Sequence, residues 1–330
     1  MASTPPADPS GPPRTPSDPR RSSRTSLLIG RSGIRAGWRF VIFLGILLVL
    51  IAVFALGLRI PLAGPSVPAP RSAVSPEAVG VQDLAIFVLV CLASSAMAGI
   101  EGRTFADYGF PWRKPVTAKF WEGLACGFVA ISGALLGIFA MHGYRITGIM
   151  TRGPALAFSA LEWGLIFLLV GLTEDFTFRG YAQFTLTDAI GFWPAAFLLS
   201  GLFACIHFSN PGETTIGLAG VGAYGLFACL ALRRTGNLWW PIGFHAAWDW
   251  GQTFFYGVPD SGVPANGSFL ASRLHGPPWL SGGTAGPEAS VFAPVALMLA
   301  AVFLILRYPR AQYPYPLPSP AAESLEYRKN

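Results

Sequence analysis

Apolar residues in this chain gather in long runs: Trp38–Leu58, Leu84–Ile100, Phe120–Met141, Leu156 to about Leu186, Phe192–His207, Ile216–Leu232, Leu238–Phe255 and Val291–Leu306. Several are near the roughly 17–25 residues that a helix needs to cross a bilayer. The fourth is longer and more polar than the rest, as a tilted helix would be. The pattern predicts an all-α polytopic integral membrane protein of about eight transmembrane helices. Around the runs the chain divides into a Pro/Ser/Arg-rich tail without apolar periodicity (1–37), N-terminal transmembrane helices (38–150), a transmembrane core rich in ionisable groups (151–256), a Gly/Pro/Ser-rich loop (257–290), a last transmembrane helix (291–306) and a Pro/Tyr-rich tail (307–330). The tails read as disordered. The first run is too long for the apolar part of a cleaved signal peptide and reads as a retained signal anchor.

Composition agrees. Charged residues make up 12% of the chain and hydrophobic residues 52%, whereas soluble domains carry about 25% charge. The net charge of +6 comes mostly from arginines outside the apolar runs. No basic-aromatic motif accompanies it, so nucleic acid is not an expected partner; the basic residues report orientation instead. Arg14, Arg20, Arg21, Arg24, Arg31, Arg35, Arg103, Arg113, Lys114, Lys119, Arg233, Arg234, Arg307, Arg310, Arg328 and Lys329 fall on one side if the spans alternate. That side is then cytoplasmic and holds both termini; in a bacterium the membrane is the cytoplasmic one. Cys91, Cys126, Cys205 and Cys229 all lie in apolar runs and read as small core hydrophobes.

The fourth run ends in Glu174-Asp175-Phe176-Thr177-Phe178-Arg179. An Asp or Arg at the centre of a bilayer costs roughly 2.5–3.5 kcal/mol on the insertion scale, so this cluster should face inward, toward partners. Candidates are His207 in the fifth run and the His245/Asp249 pair in the seventh. Asp175 and Arg179 stand at i, i+4 and can form an ion pair. Glu174 is about 100° around the helix and is free to aim elsewhere. With cytoplasmic ends near Leu186, Phe192 and Leu238, Glu174 lies roughly 18 Å deep, His207 roughly 22 Å, His245 roughly 10 Å and Asp249 roughly 16 Å. Three helices thus bring polar groups toward one level, which predicts a shared, partly hydrated cavity. A carboxylate there can act as a general base, a histidine can polarise a water, and a second polar pair can stabilise an oxyanion. Two histidines with a carboxylate, His207 and His245 first, could instead hold a divalent metal such as zinc.

In these residues the chain resembles the intramembrane CAAX-protease and bacteriocin-processing family. Its first motif, two glutamates followed by an arginine, is matched by Glu174-Asp175-x-x-x-Arg179. Its Phe-x-x-x-His motif is matched by Phe203–His207, and its His-x-x-x-Asn motif by His245–Asp249. Flanking text is similar too, including Asn210-Pro211-Gly212 and Gly236-Asn237-Leu238-Trp239. The resemblance covers about 155–255. It implies a glutamate-dependent intramembrane endopeptidase acting on a membrane-associated protein or peptide. Glu174 and His207 would activate water, His245 and residue 249 would stabilise the oxyanion, and Asp175 and Arg179 would support the site. Asp249 departs from the family's asparagine; an ionised aspartate has no proton to donate to an oxyanion. It would be protonated, orient His245 or bind metal.

Two other classes of function compete. A non-catalytic scaffold or immunity protein on the same fold would tolerate loss of Glu174. An ion-coupled transporter would also bury acids and histidines, but the chain has no internal repeat of the kind many transporters show.

Overall fold

The computed structural model describes residues 28–30, 33–58, 75–110, 118–210, 212–264 and 267–313. The tail expected over 1–37 lies outside the described residues up to 27, and the C-terminal tail does so from 314 on, as do Pro211 and Asn266.

Among the described residues nine helices carry the architecture: α1 (Ala36–Gly57), α2 (Pro76–Glu101), α3 (Ala118–Ala140), α4 (Pro154–Arg179), α5 (Tyr181–Ile190), α6 (Phe192–His207), α7 (Thr215–Thr235), α8 (Trp239–Asp249) and α9 (Phe292–Arg307). Each apolar run holds a helix. Five are long and apolar enough to cross a membrane: α1, α2, α3, the continuous α4–α5 stretch and α7. The α6 and α9 helices are shorter, at 16 residues each, and α8 has 11. Large apolar side chains such as Leu48, Val81, Val129, Phe197 and Leu306 stand exposed around the bundle. A contiguous apolar exterior of this kind is a lipid-facing surface. The chain is a polytopic helical membrane protein.

The structure departs from the expected boundaries in three places. The fourth run is not one helix: it turns at Gly180, where an added Cβ would lie 2.4 Å from both the ring and the carbonyl oxygen of Phe176. The seventh run leaves α-helical geometry after Asp249 and continues to Phe255 as a π-helical turn. Finally, α2 begins at Pro76 rather than Leu84. Ser75 caps it by accepting the Ala78 N–H at 3.4 Å, and proline suits the first helical position. This earlier start puts Asp83 inside the helix.

Two helices that matter for function are pressed together without side chains between them. Gly123 and Gly127 of α3 form a G-x-x-x-G stripe against α8. A Cβ on them would fall 2.1 Å from the Trp240 carbonyl oxygen and 2.2 Å from that of Phe244. Gly243 of α8 returns the contact, its virtual Cβ 2.3 Å from the Phe120 carbonyl oxygen. Small residues let helix backbones approach in this way inside membranes.

A polar knot ties the other end of α1, α2 and α5. Arg39 pairs with Glu101 at 2.6 Å and with Asp188 at 3.0 Å, and the Tyr181 hydroxyl donates to Glu101 at 2.5 Å. Within the described part of the long loop, β2 (Leu270–Leu274) pairs antiparallel with β1 (Tyr144–Ile149), with Tyr144 opposite Leu274 and Ile149 opposite Leu270. The loop also folds back over the bundle: Asn210 Nδ2 donates to the Ser261 carbonyl at 2.9 Å, and Thr284 Oγ1 to that of Gly212 at 2.8 Å.

Candidate active site

The six residues singled out in the sequence converge. Glu174, Asp175 and Arg179 occupy the last turns of α4, His207 ends α6, and His245 and Asp249 lie on α8. Asp175 and Arg179 are fully buried and face each other at 3.4 Å, the i, i+4 pair expected from their spacing. The guanidinium also lies 4.5 Å from the Phe203 ring centroid and 5.9 Å from that of Tyr224. An aromatic cradle stabilises a desolvated cation, and Arg fits such a place better than Lys because it is less strongly hydrated.

Phe203 also orients His207. The His207 Nδ1 lies 2.8 Å from the Phe203 carbonyl oxygen. A carbonyl can only accept, so Nδ1 carries the proton. In the neutral ring Nε2 is then a bare acceptor, and it faces Glu174 Oε1 at 3.8 Å. That gap is too long for a direct hydrogen bond and leaves room for a water that touches both.

His245 is surrounded by carboxylates. Its Nδ1 lies 3.4 Å from Asp175 Oδ2, and its Nε2 lies 3.5 Å from Glu174 Oε2 and 3.4 Å from Asp249 Oδ2. The Tyr224 ring packs over it with centroids 4.7 Å apart. Glu174 therefore bridges the two histidines, one oxygen to each. Asp175 does more than pair with Arg179, since it also meets His245.

Glu174, His207, His245 and Asp249 line a cavity of about 360 Å³. Apolar residues, among them Trp163, Phe167, Val170 and Leu297, share its wall. A space this size admits several waters or a stretch of extended peptide.

His207 and His245 face different oxygens of the Glu174 carboxylate. Among the described residues, the His, Cys, Asp and Glu atoms that gather within 4.8 Å of one another belong to Asp249, Asp260 and Glu288.

Three acids at the cavity escaped the reading of the sequence. Asp83 lay one residue before the apolar run that began at Leu84; the Ser75-Pro76 start signal would have brought it in. Asp260 and Glu288 sit in the loop and carried no motif. Ser261 holds Glu288 Oε2 through its N–H at 3.0 Å and its hydroxyl at 2.9 Å. Thr253 Oγ1 donates to Asp260 at 3.3 Å. Burial, and then the neighbouring Asp260 charge, push the Glu288 carboxyl up to about 8. Burial also pushes Asp260 up.

Residues 156–251 match the family model of the type II CAAX prenyl endopeptidase Rce1-like proteins. The matched stretch contains all six convergent residues and ends at the π-helical turn. No curated protein matches the chain. The match gives this membrane protein an Rce1-like domain of the CAAX-protease type.

Proposed function

We propose that this chain is an intramembrane endopeptidase that hydrolyses a peptide bond of a membrane-associated protein or peptide with a water activated by Glu174 and His207. The observation that carries the reading is the position of Glu174: one carboxylate, facing a cavity, with a histidine on each oxygen.

The chemistry follows from the contacts. A water between Glu174 Oε1 and His207 Nε2 gives a proton to the carboxylate as it attacks the scissile carbonyl. Glu174 then returns that proton to the leaving amine. His207 has Nδ1 committed to the Phe203 carbonyl, so Nε2 orients the water's lone pairs. His245, in its imidazolium form, donates at both nitrogens and supplies positive charge near the developing oxyanion. Asp175 holds its far side and Arg179 holds Asp175. Asp249 faces the same nitrogen of His245 that faces Glu174, which supports an orienting role for it in place of the family's asparagine. No step is routed through a metal. The Lys/Arg distribution supports a cytoplasmic location for both termini.

The test compares wild type with Glu174→Gln and His207→Ala at matched membrane levels, reading new protein termini across the membrane proteome. Cleavage products confined to wild type are expected. Identical termini in all three, together with an ion flux that depends on Glu174, would replace the protease by a transporter. Activity should survive dialysis against EDTA.

A further inference from the structure

The cavity is lopsided in charge. Asp83, Glu174, Asp249, Asp260 and Glu288 line it, and the basic groups on its wall are His207 and His245; no Lys or Arg lines it among the described residues. The nearby guanidinium of Arg179 is fully buried behind the wall against Asp175.

Asp83 is the telling member. It is 9% exposed and lies on α2, near enough to Glu174 and His245 to interact electrostatically with both. Its backbone carbonyl accepts the Thr173 hydroxyl at 3.2 Å, which sets it beside the residue preceding Glu174. Its carboxylate makes no hydrogen bond or ion pair with another described residue. Glu174 meets two histidines, Asp249 meets His245, and Asp260 and Glu288 meet Thr253 and Ser261. Asp83 alone among these acids borders the cavity without such a partner. A carboxylate in a largely apolar wall with no hydrogen-bonding partner is poorly stabilised, and a cation entering the cavity supplies one. The apolar wall beside it, Phe167 and Val170, suits the methylene stem of a long basic side chain.

We propose that Asp83 is a specificity-determining residue that receives a lysine or arginine side chain of the substrate close to the scissile bond. This rests on the protease reading above for the word substrate, but the recognition itself does not need catalysis. A neutral residue in that place leaves Asp83 unpaired; an acidic one adds repulsion to a wall that is already negative.

The experiment uses the purified full chain in lipid nanodiscs and three pools of fluorogenic decapeptides. The pools are randomised except for one central position, which is lysine, norleucine or glutamate. Binding and cleavage are both read. The lysine pool should bind at least tenfold more tightly than the norleucine pool, and the glutamate pool least. Asp83→Asn should erase the difference and raise KM for the lysine pool with kcat unchanged; Asp83→Glu should restore it. Equal affinity of wild type for lysine and norleucine overturns the proposal, as does a lysine preference that persists in Asp83→Asn. Should Asp83→Asn fail to fold, a carbodiimide joins the bound lysine to its nearest carboxylate in wild type, forming an amide while the carbodiimide takes up the elements of water and leaves as a urea. Attachment to Asp83 is expected, and attachment only elsewhere refutes the assignment. Lysine preference without any cleavage would sink the protease reading and leave the recognition standing; cleavage without preference would do the reverse.

Discussion

Replacing Gly127 by alanine adds one methyl group on a helix that carries none of the site residues, yet it should disable the site. The new Cβ would sit 2.2 Å from the Phe244 carbonyl oxygen and 2.9 Å from the Phe244 Cα. Ordinary contact begins near 3.4 Å, so about 1.2 Å is missing. The obstructing atoms are backbone, so no rotamer change relieves the clash; α8 itself must retreat by about 1 Å. His245 is the next residue along and travels with it, away from Glu174 and Asp175. A misplacement of that size can cost on the order of 10²-fold in rate. Overpacking adds a stability loss of about 1–3 kcal/mol, offset in part by the roughly 1 kcal/mol by which alanine exceeds glycine in a helix. Gly133→Ala is the internal control: it lies on the same helix with no atom within 4 Å of the added Cβ. The assay measures kcat/KM on a cleaved substrate, with thermal unfolding in detergent alongside. Wild-type rates and unfolding temperature in Gly127→Ala would refute the claim that the glycine stripe sets the position of His245. Equal damage from Gly133→Ala would do so too.

Three further outcomes are expected. Asp175→Ala strands the fully buried Arg179 and should lose about 3–5 kcal/mol of stability; Asp175→Ala with Arg179→Met should recover stability by thermal unfolding but not cleavage. Asp249→Asn should keep activity, because its amide oxygen can still accept from His245 Nε2, whereas Asp249→Ala should lose on the order of 10²-fold in kcat. The loop carboxyls should make stability fall as pH rises: with Glu288 pushed up to about 8 in the folded state, folding favours its protonated form. Below the ordinary value of 4.5 the folded and unfolded chains bind this proton alike. Between that value and about 8 the folded state holds more protons, so stability declines by up to about 1.4 kcal/mol per pH unit. Glu288→Gln should flatten that slope in unfolding curves recorded from pH 5 to 9, and an unchanged slope would count against the burial argument.

Much of the architecture was legible because lipid enforces it: long apolar runs in this chain have few options besides helices. The i, i+4 spacing of Asp175–Arg179 and of His245–Asp249 is a property of the helix itself, so both contacts could be anticipated. The break at Gly180 could not, because its cause is the ring and carbonyl of Phe176 folding against it. Nor could Asp83, Asp260 and Glu288 be assigned to the cavity. Their approach depends on how α2 and the long loop pack in three dimensions, and no periodicity records that. Asp175 shows the same limit at the scale of one residue. Its spacing announced Arg179, while its contact with His245 came from a helix seventy residues away in sequence.

The shortness of the helices that bear the histidines has a consequence for the surrounding membrane. At about 1.5 Å per residue, α6 and α9 reach roughly 24 Å and α8 roughly 17 Å, against a hydrocarbon slab of about 30 Å. The α4–α5 stretch beside them, 37 residues long, exceeds that thickness by itself. Buried α8 meets little lipid, but lipid next to α6 and α9 thins to keep its tails off their polar ends. Such a dimple brings headgroups and bulk water down toward Glu174 and lowers the distance over which a polar peptide must be dragged through oil.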